Sequence, residues 1–549
     1  MRIGLFTEGG RPYAAGESGV WCERLVRGLA QHRFDLYAVG RPSPAGTPPP
    51  LPPNARLVRA ADPGDASAGL LERSASGTAR AARRAYGRRD RHRFTGAYER
   101  LATGLCAEEG AADGADAFAE GLYALAELAR ERGGLPGALR SDDAVRALET
   151  ACRAPGARRG AAAAGLPDHL AFAEHLERVL RPLSLDWYEE DALGAADLCH
   201  AAAGGTTALP GLLAAHFFGT PLLVTEYGVP LRAHYLSAAA GADRSAPLRA
   251  LLASLHGRLT AEVYRRAALL TPGNAHTRRW QEKCGADRDR VRTVHPGMAA
   301  DRFDGVGEDE ESGDPTTLVW VGRAEPAKDL VALLHAFADL RARQPDARLR
   351  IVTVPARDPG AEAYLAHCEA FAAQLFPDEA AGAHAVGENP VSFEELGGPE
   401  ASTLEEVYAS AAVVVLSSVV EGFPAGLVEA MFCARATVST DVGAVVEIIG
   451  GTGLVVPPRN PRALADACLA LLRDPGRRHR LGAAARARAL ELFTVEQNLA
   501  AFRGIYLELL SRAPVRHRPG DGALFAHPAE AHVPGSWNPR AVTAGAPDA

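Results

Sequence analysis

Val413-Val414-Val415-Leu416-Ser417-Ser418-Val419-Val420-Glu421-Gly422-Phe423-Pro424-Ala425-Gly426-Leu427-Val428-Glu429-Ala430-Met431 is the stretch on which the reading turns. Its first four residues are apolar and mostly β-branched, which suits a strand buried on both faces. Two serines and Gly422 then mark a loop. Pro424 fits the first helical turn, where its missing N–H costs nothing, and an apolar helix follows to Met431. Strand, loop and helix in this order form the unit of a doubly wound parallel sheet. Two carboxylates are placed on it, Glu421 in the loop and Glu429 one turn into the helix. Their oxygens can accept hydrogen bonds from sugar and ribose hydroxyls, with phosphates resting on the positive helix end. A cheaper use of both is to complement the helix dipole.

The same unit recurs outward from this point. Apolar runs at Arg2–Phe6, Asp35–Val39, Arg56–Arg59, Asp197–Ala201, Pro221–Thr225 and Leu269–Thr271 form one predicted strand series. Thr317–Val321, Arg348–Val354, Val413–Ser417, Thr437–Thr440 and Gly453–Val456 form another. Two series predict two doubly wound domains, residues 1–303 and 316–500. Between them the acidic, Gly-containing stretch 304–315 reads as a linker. Residues of about 62–190 are Ala- and Arg-rich, with helical periods at Ala117–Arg132 and His169–Leu180, and read as a helical insertion in the first domain. A last helix is expected at 501–512. Residues 513–549, rich in Pro, Gly, His and Ala, read as a disordered tail.

Bulk properties agree with a large globular chain. The 549 residues exceed what one core supports, and 47% are hydrophobic against 23% charged. A net charge of −7 argues against nucleic acid as the partner. The eight cysteines include no CxxC pair and read as reduced thiols, with neither a zinc site nor a disulfide frame. The N-terminal apolar run is too short for a signal peptide, and no stretch approaches the ~20 apolar residues of a membrane span. A cytoplasmic location is expected.

Two further loops carry candidate chemistry. After Phe6 comes the Gly-rich Glu8-Gly9-Gly10 to Gly16-Glu17-Ser18-Gly19, then a helix from Trp21 to His32. Such a loop brings backbone N–H groups toward a pyrophosphate, although it is not GxGxxG and reads equally as an ordinary turn. Leu318-Val319-Trp320-Val321-Gly322-Arg323 is followed five residues later by Lys328. Two cations beyond a strand end can neutralise a leaving diphosphate, or they can be solvated surface charges. The basic cluster Arg80–Arg93 reads as a solvated helical face. His295-Pro296-Gly297 reads as a structural turn before the linker.

Together, Gly322-Arg323…Lys328, Glu421-x7-Glu429, Thr440-Asp441-Val442-Gly443-Ala444…Glu447 and Gly453-Leu454-Val455-Val456-Pro457-Pro458 resemble the retaining glycosyltransferases of family 4, of the GT-B fold. The resemblance covers about 316–505. Thr7-Glu8-Gly9…Pro12-Tyr13…Gly19-Val20 and Thr225-Glu226-Tyr227-Gly228 are similar to the branch that includes the exopolysaccharide glycosyltransferase PelF.

The resemblance implies that Arg323 and Lys328 bind and stabilise the donor diphosphate, and that Glu421 contacts the sugar near the reacting face. It further implies that Glu429 holds the ribose, with Gly16, Gly19, Gly322, Gly422, Phe423 and Leu427 completing the donor side. Glu226 and Tyr227 would face the sugar or acceptor, and His200, at a strand end, reads equally as facing the cleft with them or as a satisfied structural histidine. No metal and no cofactor are implied, and no DxD occurs at the relevant place. The implied partners are a nucleotide sugar, with UDP favoured, a glycan or lipid-linked acceptor, and peripherally a membrane glycan-export complex. Ala202 and Tyr227 depart from the family, in which histidine is frequent at the first place and usual at the second. Ala434, Ala436 and Val446 depart as well. The departures motivate a second expectation, a nucleotide-sugar-binding subunit without catalysis. A nucleotide-sugar 2-epimerase would need an acid/base set that the sequence does not offer, and an NAD oxidoreductase would need GxGxxG.

Overall fold

The computed structural model describes residues 1–8, 17–40, 51–61, 86–108, 112–240, 244–307, 314–355, 359–377 and 389–513. Gly16, the Arg80–Arg84 end of the basic cluster, residues 308–313 of the expected linker and residues 514–549 of the expected tail lie outside these.

The strands are β1 (Arg2–Glu8), β2 (Arg33–Val39), β3 (Ala55–Ala61), β4 (Leu198–Ala201), β5 (Leu222–Glu226), β6 (Leu269–Pro272), β7 (Thr317–Gly322), β8 (Arg348–Thr353), β9 (Val391–Glu395), β10 (Val413–Leu416), β11 (Ala436–Thr440) and β12 (Leu454–Val456). They form two six-stranded sheets, ordered β3-β2-β1-β4-β5-β6 and β12-β11-β10-β7-β8-β9. Every pairing is parallel. The two orders are the same when each sheet is numbered from its own first strand. In each, the chain reverses direction of travel between the first and fourth strands, where ligands of such sheets bind at the carboxyl ends.

Eleven strands coincide with the predicted series, and β9 was not expected. It lies on an edge, and its sequence Val-Ser-Phe-Glu-Glu lacks a continuous apolar run. Its buried Glu394 is held by Arg350 of the neighbouring β8, with Nη2 to Oε2 at 2.6 Å. An ion pair therefore helps to close this edge, as Arg56 of the edge strand β3 pairs with Asp35 of β2 in the first sheet.

Between β3 and β4 the described residues are helical, including Arg88–Cys106, Ala112–Arg132, Asp142–Arg153 and Leu166–Leu180. Phe94, Tyr98, Leu101, Phe118, Leu122 and Phe172 join Phe6 and Tyr37 of the sheet in one buried cluster. These helices thus cover one face of the first sheet.

The last helix begins earlier than expected, at Val495, and runs to Arg512. It packs against the first sheet. Phe502, Ile505, Tyr506 and Leu509 share a core with Trp21, Leu25, Phe34 and Leu223. The outgoing and returning chains touch where they cross: Met298 N–H donates to the Phe493 carbonyl at 2.8 Å and Val495 N–H to the Met298 carbonyl at 3.2 Å. A Cβ on Gly297 would lie 2.8 Å from the Val495 Cα, so only glycine permits this crossing. The turn His295-Pro296-Gly297 owes its composition to that contact.

Candidate active site

The second sheet builds its site from the two strands that flank its reversal point. β7 ends at Gly322, and a short turn Pro326–Lys328 leads to Asp329, whose left-handed backbone (φ 48°) and side chain start the next helix. Asp329 accepts from Ala332 N–H at 3.3 Å. The loop after β10 is stitched to this turn. Ser417 Oγ donates to the Lys328 carbonyl at 2.7 Å, and Val419 N–H donates to the Ala327 carbonyl at 2.8 Å. These bonds bring Lys328 and Glu421, 93 residues apart, into an ion pair of 2.6 Å. Ser418 Oγ also donates to the Glu421 carboxylate, at 3.0 Å. Lys328 and Glu421 are partly open to solvent, with side chains 19% and 11% exposed.

Arg323 stands apart from this pair. Its side chain is 63% exposed and lies 3.2 Å from Glu325. It is free to turn toward a ligand at little cost, since an exposed pair of this kind is worth ~1 kcal/mol or less.

Glu429 lies in the helix Ala425–Phe432, and its Oε2 accepts from the buried Tyr408 hydroxyl at 3.0 Å. That hydroxyl also reaches the Gly426 carbonyl, 3.1 Å away. Leu427 is buried beneath the same helix, while Gly422 and Phe423 are in the loop before it. Dipole complementation, the bland use of these glutamates, does not describe Glu421, which is committed to Lys328 and Ser418.

Two residues here were not singled out as site residues. Gly443 has φ of +57°, and a Cβ there would collide with the Glu421 carbonyl oxygen. Its signal was the Asp441-Val442-Gly443 turn after β11, whose purpose was invisible without the neighbouring loop. Glu447 reaches into the first domain. Its carboxylate accepts from Ala275 N–H at 2.6 Å, at the N-terminus of the helix Ala275–Lys283, and lies 3.8 Å from His295 Nε2. The helix dipole favours a carboxylate there, so Glu447 fixes one domain against the other.

The first-domain candidates have other employment. His200 has no exposed surface, and both ring nitrogens are engaged, Nδ1 with the Tyr506 hydroxyl at 2.8 Å and Nε2 with Thr225 Oγ1 at 2.7 Å. Burial pushes its pKa down to about 3, which keeps the ring neutral. Tyr227 faces the returning helix. Its hydroxyl accepts from Asn498 Nδ2 at 3.1 Å, and its ring meets Trp21 edge-on at 5.1 Å. Trp21 Nε1 donates to the same Asn498, at 3.1 Å. Glu226 is 1% exposed and accepts from Tyr264 at 2.6 Å and Gln281 at 2.7 Å. Burial raises its pKa. The sequence expectation put Glu226 and Tyr227 toward a sugar or acceptor and left His200 between that role and a structural one. The structure instead turns His200 and Tyr227 onto the returning helix, and Glu226 onto the helices Ala246–Arg266 and Ala275–Lys283. Gly19 starts the helix Glu17–Gly28 beyond β1. Among the described residues no group of three or more His, Cys, Asp or Glu is placed to hold a metal ion, and no helix is long and apolar enough to cross a membrane.

Comparison with known proteins adds the following. Over its whole length the fold is similar to sucrose-phosphate synthase from Thermosynechococcus elongatus, with a TM-score of 0.53 and 17% identity, covering 93% of this chain and all of that one. HepE of Anabaena, solved with UDP and glucose, gives a TM-score of 0.50 at 13% identity, covering 92% of this chain and all of that one. The fold is therefore GT-B. A D-inositol 3-phosphate glycosyltransferase of Kribbella flavida is 32% identical over 235 residues, which is 40% of this chain and 52% of that protein. Its counterpart in Streptomyces bingchenggensis is 30% identical over 237 residues, 41% of this chain and 49% of that protein. The chain thus spans about half the length of the curated relatives it matches. Residues 315–474 match the Glycosyl transferases group 1 family. Residues 1–289, more than half of the chain, match the Domain of unknown function (DUF3492). The chain belongs to the DUF3492 family, carrying behind that domain a group 1 glycosyltransferase domain.

Proposed function

We propose that the protein is a retaining glycosyltransferase of family 4 that moves a hexose from a nucleotide diphosphate sugar, with UDP favoured, to a glycan, lipid-linked or small-molecule acceptor. The observation that carries this reading is the convergence of Lys328 and Glu421 at 2.6 Å on the reversal point of the second sheet, with Arg323 exposed just beyond the end of β7 and Glu429 fixed by Tyr408. Two cations there can neutralise a departing diphosphate, replacing a metal. Glu421 stands near enough to Lys328 to stabilise positive charge developing at the anomeric carbon while that lysine meets phosphate. Glu429 is held in one orientation, as a ribose-binding carboxylate must be. The acceptor attacks from the face that the diphosphate leaves and gives its proton to the departing oxygen. Exopolysaccharide or cell-envelope glycan synthesis is the setting this reading favours, in the cytoplasm and in peripheral contact with a membrane export complex.

The test is a thermal-shift screen of the purified chain against a panel of nucleotide sugars. A ligand at 100 times its dissociation constant stabilises by about 2.7 kcal/mol. Transfer or hydrolysis of the labelled donor then measures catalysis. Donor binding without turnover would favour the second reading, a nucleotide-sugar-binding subunit, which is supported by the commitment of His200 and Tyr227 to structural bonds. Activity should survive dialysis against EDTA unchanged. Loss on EDTA and recovery with magnesium or manganese would contradict the assigned roles of Arg323 and Lys328.

A further inference from the structure

The helices between β3 and β4 contain a thiol pair that the proposed reaction does not use. Cys106 closes the helix Arg88–Cys106, and Cys152 lies in the last turn of the helix Asp142–Arg153. The two are 46 residues apart in sequence, yet their sulfurs are 3.5 Å apart and each residue is 1% exposed. The reading of the eight cysteines as isolated thiols therefore misses a contact made only by folding. The chain segments beyond both helices also pair. Arg158 N–H donates to the Cys106 carbonyl at 2.8 Å, and Ala107 forms an antiparallel bridge with Ala157.

We propose that Cys106 and Cys152 form a reversible intramolecular disulfide when the protein meets hydrogen peroxide. Three features support this. The sulfurs need to close by only about 1.5 Å to reach the ~2.0 Å of a disulfide bond. Both sit at helix ends, where the terminal turn opens at low cost. Residues Arg153–Gly156, immediately after Cys152, are exposed, so a molecule as small as peroxide reaches the pair when that turn opens.

The chemistry assigns unequal roles. Cys152 meets peroxide first, because the exposed turn Arg153–Gly156 adjoins it, and Arg153 beside it favours its thiolate. The Cys152 thiolate attacks one peroxide oxygen. The S–O bond forms as the O–O bond breaks, and hydroxide leaves as water after taking a proton, giving a sulfenic acid. Cys106, losing its proton, attacks that sulfur. The S–S bond forms as the S–O bond breaks, and a second water leaves. Two thiols and one peroxide give one disulfide and two waters.

The bond would staple the turn on which the helix Ala246–Arg266 rests. Ser254 Oγ of that helix donates to the Leu105 carbonyl at 2.6 Å, and Arg258 reaches the Glu108 carbonyl at 3.2 Å. The same helix carries Tyr264 to Glu226.

The test treats the full chain with hydrogen peroxide, quenches it, blocks free thiols under denaturing conditions and maps peptides without reduction. A linked Cys106–Cys152 peptide, two hydrogens lighter than its parts and released by dithiothreitol, is expected. Slower amide exchange near Leu105–Glu108 should accompany it. Cys106→Ser and Cys152→Ser should each abolish the link, and Cys468→Ser, a buried thiol of the second domain, should retain it. The wild-type peptide map decides the matter even if a variant fails to fold. Blocked, unlinked Cys106 and Cys152 after treatment, or Cys152 oxidised to the sulfinic acid with Cys106 still free, would overturn the proposal.

Discussion

The two sheets share one strand order, yet their carboxyl-end edges differ in what covers them. In the first, the helix Val495–Arg512 lies over the edge and absorbs its polar residues: His200 binds Tyr506, and Tyr227 and Trp21 bind Asn498. In the second, Arg323 remains in solvent, and Lys328 and Glu421 face each other with part of their surface open. Equivalent positions in equivalent topologies thus serve packing on one side and stay open to solvent on the other, where the proposed ligand chemistry would take place. A residue's place at a strand end does not assign its role until the covering element is known.

The sharpest way to break this contrast is His200→Ala. It leaves a cavity and deprives the Tyr506 and Thr225 hydroxyls of a partner, so unfolding stability should fall by about 3–5 kcal/mol. Nucleoside diphosphate affinity, measured by calorimetry on the folded fraction, should stay at the wild-type value. Unchanged stability with lost turnover would return His200 to the active site.

Next in size, Arg323→Ala and Lys328→Ala should each weaken nucleoside diphosphate binding by about 1.5–3 kcal/mol, the scale of charge-assisted hydrogen bonds. Arg323→Ala should leave the melting temperature alone, because its side chain is exposed. Wild-type affinity in both variants would remove the distinction between the two edges.

Glu421→Gln and Glu429→Gln separate two roles within the second edge. Glu421→Gln should lower kcat by about 10–100-fold, a loss of about 1.4–2.7 kcal/mol in transition-state stabilisation. Because it frees Lys328 from its ion pair, diphosphate affinity should not fall. Glu429→Gln should raise the donor KM and weaken free nucleotide. Near-wild-type kinetics in both, with only a small drop in melting temperature, would reduce them to helix-dipole partners.

pH gives a separate probe of the same contrast. Burial lowers His200 and His256 to about 3 and His175 to about 4, against about 6.5 in an unfolded chain. The folded state therefore binds fewer protons than the unfolded state below pH 6.5. This contribution to stability is complete above pH 6.5 and is lost as pH falls toward 3–4. The melting temperature of the first domain should decline over that window, and a flat profile would show these rings to be hydrated.

Much of this molecule was written locally. Eleven of the strands were legible because apolar runs bounded by glycine or proline act within a few residues, and the pairing of strand with helix followed from the same pattern. Gly322, Arg323, Lys328, Glu421 and Glu429 were legible for the same reason, each standing at a fixed distance from its own strand. β9 was not, since its edge is closed by Arg350 and Glu394 rather than by a hydrophobic run.

What the amino-acid order alone determined is therefore the two doubly wound units and the cations and carboxylates at the end of the second. Tertiary structure alone decided which of those ends is open. It made Lys328 a partner of Glu421, made Gly443 indispensable to the Glu421 loop, sent Glu447 across to the helix at Ala275 and set Cys106 against Cys152. It also buried His200 and tied Tyr227, half-buried, to a helix 271–306 residues later in the chain. Local pattern fixes a residue's place on its own element, but burial and partnership depend on elements distant in sequence, and no short-range period records them.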